Sequence, residues 1–313
     1  MTAIRCLGID TSNYTTSTAL FDGAEGYNLG RLLEVPQGTL GLRQSDALFQ
    51  HVKRLPELFG QLRQEGRLEG LAAVGASVKP RWVEGSYMPC FLAGESLGRS
   101  LAAALGVPFF PCSHQQGHIA AAAWSAGRPD LLDRPHLAWH LSGGTTEFLY
   151  VEPAGSSVRA ERIGGTSDLS AGQLIDRTGK RLGLSFPAGK ALDDLSLEST
   201  SEAWFRVKVD GLTFSLSGVE NKVSDMAVDA PPADVARFVL STIADVVRRV
   251  TAAAQRQYGG LPVLCSGGVA SNRRIRYVLT ESCQAIFALP QYSADNALGV
   301  AILTRRALTE GGT

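Results

Sequence analysis

An α/β protein built from two similar halves is what this sequence predicts, and three stretches predict it. The first is Leu137 to Val151, which reads Leu-Ala-Trp-His-Leu-Ser-Gly-Gly-Thr-Thr-Glu-Phe-Leu-Tyr-Val. Two runs of strand-forming residues flank the turn Ser142-Gly143-Gly144-Thr145-Thr146, the pattern of a hairpin. Glycines at its tip allow close approach of the backbone to a ligand, and hydroxyls with free N–H groups suit phosphate oxygens. The second stretch repeats this design near the start: Leu7-Gly8-Ile9-Asp10-Thr11-Ser12 is an apolar run ending in small polar residues, and Thr16 to Phe21 can return as a strand. The third is the turn Ser266-Gly267-Gly268-Val269-Ala270-Ser271-Asn272, which follows an apolar strand and precedes Arg273-Arg274-Ile275-Arg276. Two equivalent hairpins imply an internally doubled fold with a phosphate between the halves. Three glycine turns in this order imply a nucleotide site.

Bulk composition narrows the function classes. The 313 residues suffice for one large domain or two lobes with real cores. Hydrophobic content is 44%, and 30 basic residues balance 30 acidic ones. That excludes a disordered polyelectrolyte and gives no global field for nucleic acid, so an RNA partner would need a local basic patch. The 34 glycines fit a fold rich in tight turns near ligands. Five scattered cysteines, Cys6, Cys90, Cys112, Cys265 and Cys283, are expected as buried free thiols in a reducing compartment. The first residues lack the pattern of a secretory leader, and no apolar run reaches membrane-spanning length. The expectation is a cytoplasmic protein with no membrane partner.

The remaining elements follow in order. Ile4 to Asp10 is a buried first strand, with Asp10 closing it where a metal or nucleotide would lie. Ser45 or Asp46 caps a helix through Leu48, Val52 and Leu55, which Pro56 kinks or restarts. Leu71 to Ser77 is a strand. The loop Lys79 to Pro89 carries a Trp, a Tyr, two cations and an acid, and loops of this length and richness are more often functional than filler. Phe91 to Leu105 is a helix stopped by Gly106 and Pro108. After a short strand, Phe109 to Pro111, Ser113 is a good N-cap, which puts His114 and His118 on one face of a helix at i and i+4. That is metal-ligand geometry, although two polar helix histidines are the commoner finding when no carboxylate completes the set. Gly127 to Pro135 is a polar link.

Val158 to Ile163 is a strand. A helix begins at Ser170 and runs to about Leu182, and Pro187 to Lys190 opens another that carries Asp193 and Asp194. Asp176 and Asp193 suit the two hydroxyls of a ribose, against the plainer reading of exposed helix acids. Ala203 to Val209 is expected as a strand, and Gly211 to Gly218 as a polar turn before a helix. Val235 to about Tyr258 is the longest helix, apolar at Val239, Ile243, Val246, Val247 and Val250. Ala285 to Leu289 is a last strand. Tyr292 to Asn296 is expected to start the final helix, with Asp295 in or near its first turn, where a carboxylate also serves as a cap.

Together these motifs resemble the tRNA threonylcarbamoyl-adenosine transferase family of the actin-like ATPase superfold. The resemblance rests on the Gly8-Ile9-Asp10-Thr11-Ser12 opening, His114-x-x-x-His118, Ser142-Gly143-Gly144, Gly172 to Asp176 and Pro187-Ala188-Gly189. It continues through Phe214-Ser215-x-Ser217-Gly218, Gly267-Gly268-Val269-Ala270-x-Asn272 and Asp295-Asn296-Ala297. It implies two actin-like lobes, 1–135 and 136–313, with a nucleotide cleft between them and the last helix returning toward the first lobe. It implies His114, His118 and Asp295 as ligands of one iron or zinc ion. It implies Leu141, Ser142, Gly143 and Gly144 at the phosphate or acyl-adenylate, and Asp176, Gly189, Asp193 and Asn272 at ribose and adenine. The implied reaction moves a threonylcarbamoyl group from threonylcarbamoyl-adenylate to a tRNA adenosine, with ATP or the acyl-adenylate as ligand. The implied partners are tRNA, a paralogous scaffold and an ATPase.

This chain departs from the family at the reacting end. Asn13-Tyr14-Thr15 stands where the family has Cys-Asp-Glu. Thr145 replaces the histidine of Ser-Gly-Gly-His-Thr, Gly165-Thr166-Ser167-Asp168-Leu169 lacks the family's Glu, and the Lys79 to Pro89 loop replaces Gly-Pro-Gly-Leu. The departures suggest a specialised paralogue acting on another acceptor, or a non-catalytic partner of a true transferase. A metallopeptidase is disfavoured, since Gln115, Gln116 and Gly117 supply no carboxylate base between the histidines.

Overall fold

The computed structural model describes residues 4–35 and 42–310. The chain divides into two compact units: Met1–Arg134 with Glu152–Ala160 and Ala294–Thr313, and Pro135–Val151 with Glu161–Ser293. Each is organised on a mixed sheet.

The first sheet contains β1 (Arg5–Thr11), β2 (Thr15–Phe21), β3 (Gly26–Leu32), β4 (Leu71–Lys79) and β5 (Phe109–Ser113), in the order β3-β2-β1-β4-β5. β1 and β2 form an antiparallel hairpin, and β4 runs parallel to β1. Every residue of β2 is buried, as expected of a strand covered on both faces. The second sheet contains β6 (His136–Leu141), β7 (Thr146–Ala154), β8 (Ser157–Thr166), β9 (Val209–Asp210), β10 (Thr213–Phe214), β11 (Val263–Ser266) and β12 (Ile286–Phe287). Its order is β12-β11-β6-β7-β8-β10-β9. β6 and β7 again make an antiparallel hairpin, and β11 again runs parallel to β6. The series β3-β2-β1-β4-β5 and β8-β7-β6-β11-β12 therefore share one topology, which is the doubling read from the two hairpins.

The helices are α1 (Gln44–Gln64), α2 (Phe91–Leu105), α3 (His114–Ser125), α4 (Ala171–Arg181), α5 (Gly189–Ser196), α6 (Ser217–Met226), α7 (Pro232–Gln257), α8 (Arg273–Cys283) and α9 (Leu298–Glu310). In the first unit, α9 packs on β1, β2, β4 and α3. In the second, α7 packs against α4, α5, α6 and α8. Its apolar stripe joins a core in which Trp139 stacks on Phe148 at 4.2 Å, and the Trp139 indole N–H donates to Thr251 Oγ1 at 2.8 Å. All five cysteines are free and buried. Among the described residues no helix is long and apolar enough to cross a membrane.

Several local expectations are corrected. α1 begins one residue before Ser45, and Arg43 at its N-cap makes no side-chain cap. It runs unbroken through Pro56, which lies on the exposed face, where water can satisfy the carbonyl that loses its partner. The link 127–135 contains a short 3-10 helix, Pro129–Asp133, that buries Leu131 and Leu132. Residues 203–208 form no strand. The segment is tied to α7 instead, with the Phe205 amide donating to Thr242 Oγ1 at 3.0 Å and Arg249 donating to the Val207 carbonyl at 2.6 Å. Ala285 to Leu289 yields only the two residues of β12. The final helix starts at Leu298, so Asp295 precedes it. Asn296 and Asn28 accept from the Leu298 and Ala297 amides, and Asp295 is freed from capping.

Candidate functional site

Two constellations stand out, one in each unit. In the first, Ser113 caps α3 as the sequence requires: its hydroxyl accepts from the Gln116 amide, and the Gln116 side chain accepts from the Ser113 amide. The cap fixes the first turn of α3, so His114 and His118 lie one turn apart. Their Nε2 atoms are 2.9 Å apart, and Asp295 Oδ1 lies 3.5 Å from the first and 3.3 Å from the second. Donors that share one ion at roughly 2.0–2.1 Å have such spacings. The three residues could hold a metal ion.

The surroundings fix their orientation. Asp10, buried at the end of β1, accepts from His114 Nδ1 at 2.9 Å and from Ser77 Oγ at 2.5 Å. With the Nδ1 proton committed to Asp10, Nε2 faces Asp295 and His118, where an ion would take the place of its proton. Ser12 Oγ donates to Asp295 Oδ2 at 2.9 Å, leaving Oδ1 for the histidines. Burial disfavours charge on His114, but Asp10 and Asp295 outweigh it and hold its pKa well above the usual imidazole value. Burial likewise opposes charge on Asp295, and the two histidines overcome it and hold the carboxyl well below its usual range.

Sequence reasoning missed the support behind this cluster. His51, fully buried on α1, contacts Thr16 Oγ1 through Nδ1 and the Ser12 carbonyl through Nε2, both at 2.8 Å. A carbonyl only accepts, so Nε2 carries the proton and Nδ1 accepts from Thr16. Burial pushes this imidazole down to about 4, against the opposing pull of the Ser12 carbonyl. Close packing of α3 and α9 brings Asp295 into range: a Cβ on Gly299 would overlap the Gly117 carbonyl, and Gly117 lies between the two histidines.

The loop 79–89 reaches the same place. The Gln115 amide donates to the Pro80 carbonyl at 3.0 Å, one residue from His114. Lys79 Nζ lies 4.4 Å from the centre of the Trp82 ring, and Trp82 and Tyr87 are exposed. At the departures from the family pattern, Asn13 Oδ1 accepts from Gln44 Nε2 at 2.6 Å and Tyr14 is exposed.

The second constellation surrounds a cavity of about 420 Å³ in the second unit. Of the residues singled out from sequence, Gly143, Asp176, Gly189, Asp193 and Asn272 line it, joined by Gly172, Ile175, Pro187, Lys190, Gly268, Val269 and Ser271. Leu141, Ser142 and Gly144 do not. The Leu141 side chain is buried in the core, and Ser142 closes its own turn by accepting from the Thr145 amide at 3.1 Å. A Cβ on Gly172 would meet the Gly143 backbone, so only glycine lets the start of α4 lie against this turn. Cβ atoms on Gly143, Gly189 and Gly268 would meet nothing within 4 Å; the backbone here leaves open space.

The polar groups of the cavity are already ordered. Asp176 Oδ1 accepts from the Ala188 amide at 2.8 Å. Asn272 caps α8 through Oδ1 and donates through Nδ2 to Asp193 Oδ1 at 2.8 Å. Asp193 Oδ2 accepts from Arg273 Nε, also at 2.8 Å. Asp168, in the turn after β8, accepts from the Ser215 and Ser217 hydroxyls and from the Leu216 amide at the start of α6. Partial burial opposes its charge, but the Ser215 and Ser217 hydroxyls and the Leu216 and Leu169 amides hold its carboxyl well below the usual range.

Fold and site define the class first: a two-sheet α/β chain of the actin-like ATPase fold. Similar folds include component A of (R)-2-hydroxyglutaryl-CoA dehydratase from Acidaminococcus fermentans, with 18% identity, a TM-score of 0.54, and coverage of 97% of this chain and 99% of that one. Another is the activator of 2-hydroxyisocaproyl-CoA dehydratase from Clostridium difficile, solved with bound ADPNP, at 15% identity, a TM-score of 0.55, and coverage of 99% and 98%. HypF from T. kodakarensis matches at 16% identity and a TM-score of 0.61, over 98% of this chain and 48% of its own. The profile of TsaD, tRNA N6-adenosine threonylcarbamoyltransferase, matches residues 41–302, and this chain belongs to that family.

Proposed function

We propose that this protein is a metal-dependent acyltransferase that moves a threonylcarbamoyl group from threonylcarbamoyl-adenylate to an adenosine of tRNA. The observation that carries the proposal is the convergence of His114, His118 and Asp295 within 3.5 Å of one another, oriented from behind by Asp10 and Ser12. Two imidazoles and a carboxylate suit zinc or iron(II), and a bound ion would supply Lewis-acid polarisation of the transferring carbonyl. Asp10 keeps the His114 proton on Nδ1, and Ser12 keeps Asp295 turned toward the histidines. In the second unit Asp176 and Asp193 offer acceptors to ribose hydroxyls, and the bare backbone at Gly143, Gly189 and Gly268 leaves room for the nucleotide. The displaced adenylate is a good leaving group, so no protein nucleophile is required. Threonylcarbamoyl-adenylate and tRNA are to be incubated with the purified, metal-loaded protein, and the nucleosides analysed by mass spectrometry. Threonylcarbamoyl-adenosine should form and should disappear in His114→Ala. Its absence with every tRNA tested would sink the proposal.

A second reading is favoured by Asn13, Tyr14 and Thr145 and by the aromatic loop 79–89: the same donor, transferred to a different acceptor. It predicts adenylate turnover that responds to small amines or nucleosides and not to tRNA. The role of a non-catalytic partner is disfavoured by donor chemistry, because a scaffold has no need of two histidines and a carboxylate held in register.

A further inference from the structure

The loop 79–89 leaves Trp82, Val83 and Tyr87 exposed. It is nonetheless a closed turn. The Arg81 amide donates to Ser86 Oγ at 3.0 Å, the Ser86 amide donates to the Val83 carbonyl at 3.4 Å, and Gly85 adopts the positive φ of 72° that the bend needs. Its base is anchored on both sides of His114: Lys79 pairs with Ser113 in the ladder of β4 and β5, and the Pro80 carbonyl accepts from the Gln115 amide. Trp82 follows Pro80 by two residues, which keeps its Cα within roughly 8 Å of that anchor.

The chemistry of the turn points to what it receives. The Lys79 ammonium lies 4.4 Å from the centre of the Trp82 ring and pairs with no carboxylate among the described residues. A ring covered on one face by this ammonium, on a residue still 47% exposed, has its other face open to water. The loop carries Lys79 and Arg81 against Glu84 alone, a net positive charge. An open ring face favours a flat partner, and an unpaired ammonium against that ring favours an anionic one. A nucleotide is both, whereas a peptide side chain is one or the other. Bases within a duplex have both faces covered, so the nucleotide is an unpaired one.

We propose that Trp82 is a stacking platform for an unpaired base of the RNA acceptor, with Lys79 supplying the positive charge that draws the adjoining phosphates. The proposal rests on RNA as the acceptor. It makes Trp82 a positioning residue: the stacked base fixes the strand, and a neighbouring nucleotide is presented to His114, His118 and Asp295.

The test is a titration of the full chain, without metal or acyl-adenylate, with a fluorescein-labelled single-stranded oligoribonucleotide and with the same sequence as a duplex. Anisotropy of the label gives affinity, and quenching of tryptophan emission by the unlabelled strand reports stacking. The single strand should bind saturably and more tightly than the duplex. Trp82→Ala should weaken it at least tenfold and Trp82→Phe only severalfold. Lys79→Gln should flatten the slope of log affinity against log salt by about 0.7. Emission should be quenched in wild type and not in Trp82→Phe, where Trp124, Trp139 and Trp204 remain as background. Because that variant keeps a ring in the loop, the lost quenching reads stacking apart from any change in fold. No binding, wild-type affinity in Trp82→Ala, or a preference for duplex would overturn the proposal. Quenching by adenosine monophosphate and not by the strand would also overturn it, in favour of a free nucleoside acceptor. Binding that depends on Trp82, with no transfer once metal and donor are added, sinks the acyl-transfer reading and leaves this one standing. Undiminished transfer to tRNA by Trp82→Ala does the reverse.

Discussion

His51 shows how much one buried side chain carries in this protein. It is neutral, fully enclosed, and holds the Ser12 backbone whose hydroxyl orients Asp295. Its folded pKa of about 4 lies below the value of the unfolded chain, near 6.5. The unfolded state therefore takes up the proton first. Stability contributed by neutral His51 is complete above pH 6.5 and is lost as pH falls from there toward 4. The loss is about 3 kcal/mol. Denaturant titrations at pH 7 and pH 4 should show it, and His51→Gln should show a smaller pH dependence, although a lower stability at pH 7. Asp10→Asn addresses the neighbouring position. It keeps the shape but weakens the acceptor that fixes His114, and should cost about 10–100-fold in zinc affinity by competition with a chelating dye. An unchanged affinity would remove Asp10 from the supporting role.

At the scale of elements, two helices must touch for the cluster to exist. α3 and α9 meet at Gly117 and Gly299, where a Cβ on Gly299 would run into the Gly117 carbonyl. Gly299→Ala should destabilise the protein by roughly 1–3 kcal/mol through overpacking. It should also weaken metal binding, because Asp295 lies just ahead of α9. Thermal melts with and without zinc separate the two effects. The loop 79–89 makes the opposite prediction. Trp82 is about half exposed, with the Lys79 ammonium over its ring, so Trp82→Ala should alter stability by no more than about 0.5 kcal/mol. If the loop receives the acceptor, turnover should nevertheless fall about tenfold or more with nucleotide affinity unchanged; equal turnover would make the loop a simple connection.

For the whole molecule, the donors His114 and Asp295 come from positions 181 residues apart in the chain, so unfolding scatters them. A metal bound there is linked to global stability. At a free ion concentration a hundredfold above Kd, the gain should be about 2.7 kcal/mol. The increase in Tm should vanish on chelation and should be missing from a His114→Ala, His118→Ala double variant. Equal thermal shifts in that variant would place the ion elsewhere.

Short-range features were legible because their causes are short-range. The hairpins at 137–151 and 7–21 are written in alternating strand-forming residues around small polar turns. The Ser113–Gln116 cap is three residues of local geometry, and the apolar stripe of α7 follows the helical period. These determined the doubled α/β architecture and put the two histidines on one face. The strand expected at 203–209 failed because its backbone finds side-chain partners on α7, which no local pattern announces. His51 and Ser77 carried no signal, and Ser12 none for its bond to Asp295, since a buried hydroxyl or imidazole acquires its role only when distant strands and helices close around it. The same holds for Arg273, whose charge in the sequence looks like solvent-exposed decoration until folding sets Asp193 beside it. Sequence alone determined which residue types are present and the local frames that carry them. Tertiary structure decided which of them share a proton, a carboxylate or a cavity, because hydrogen bonding and charge act through space over a few ångströms and are indifferent to separation along the chain.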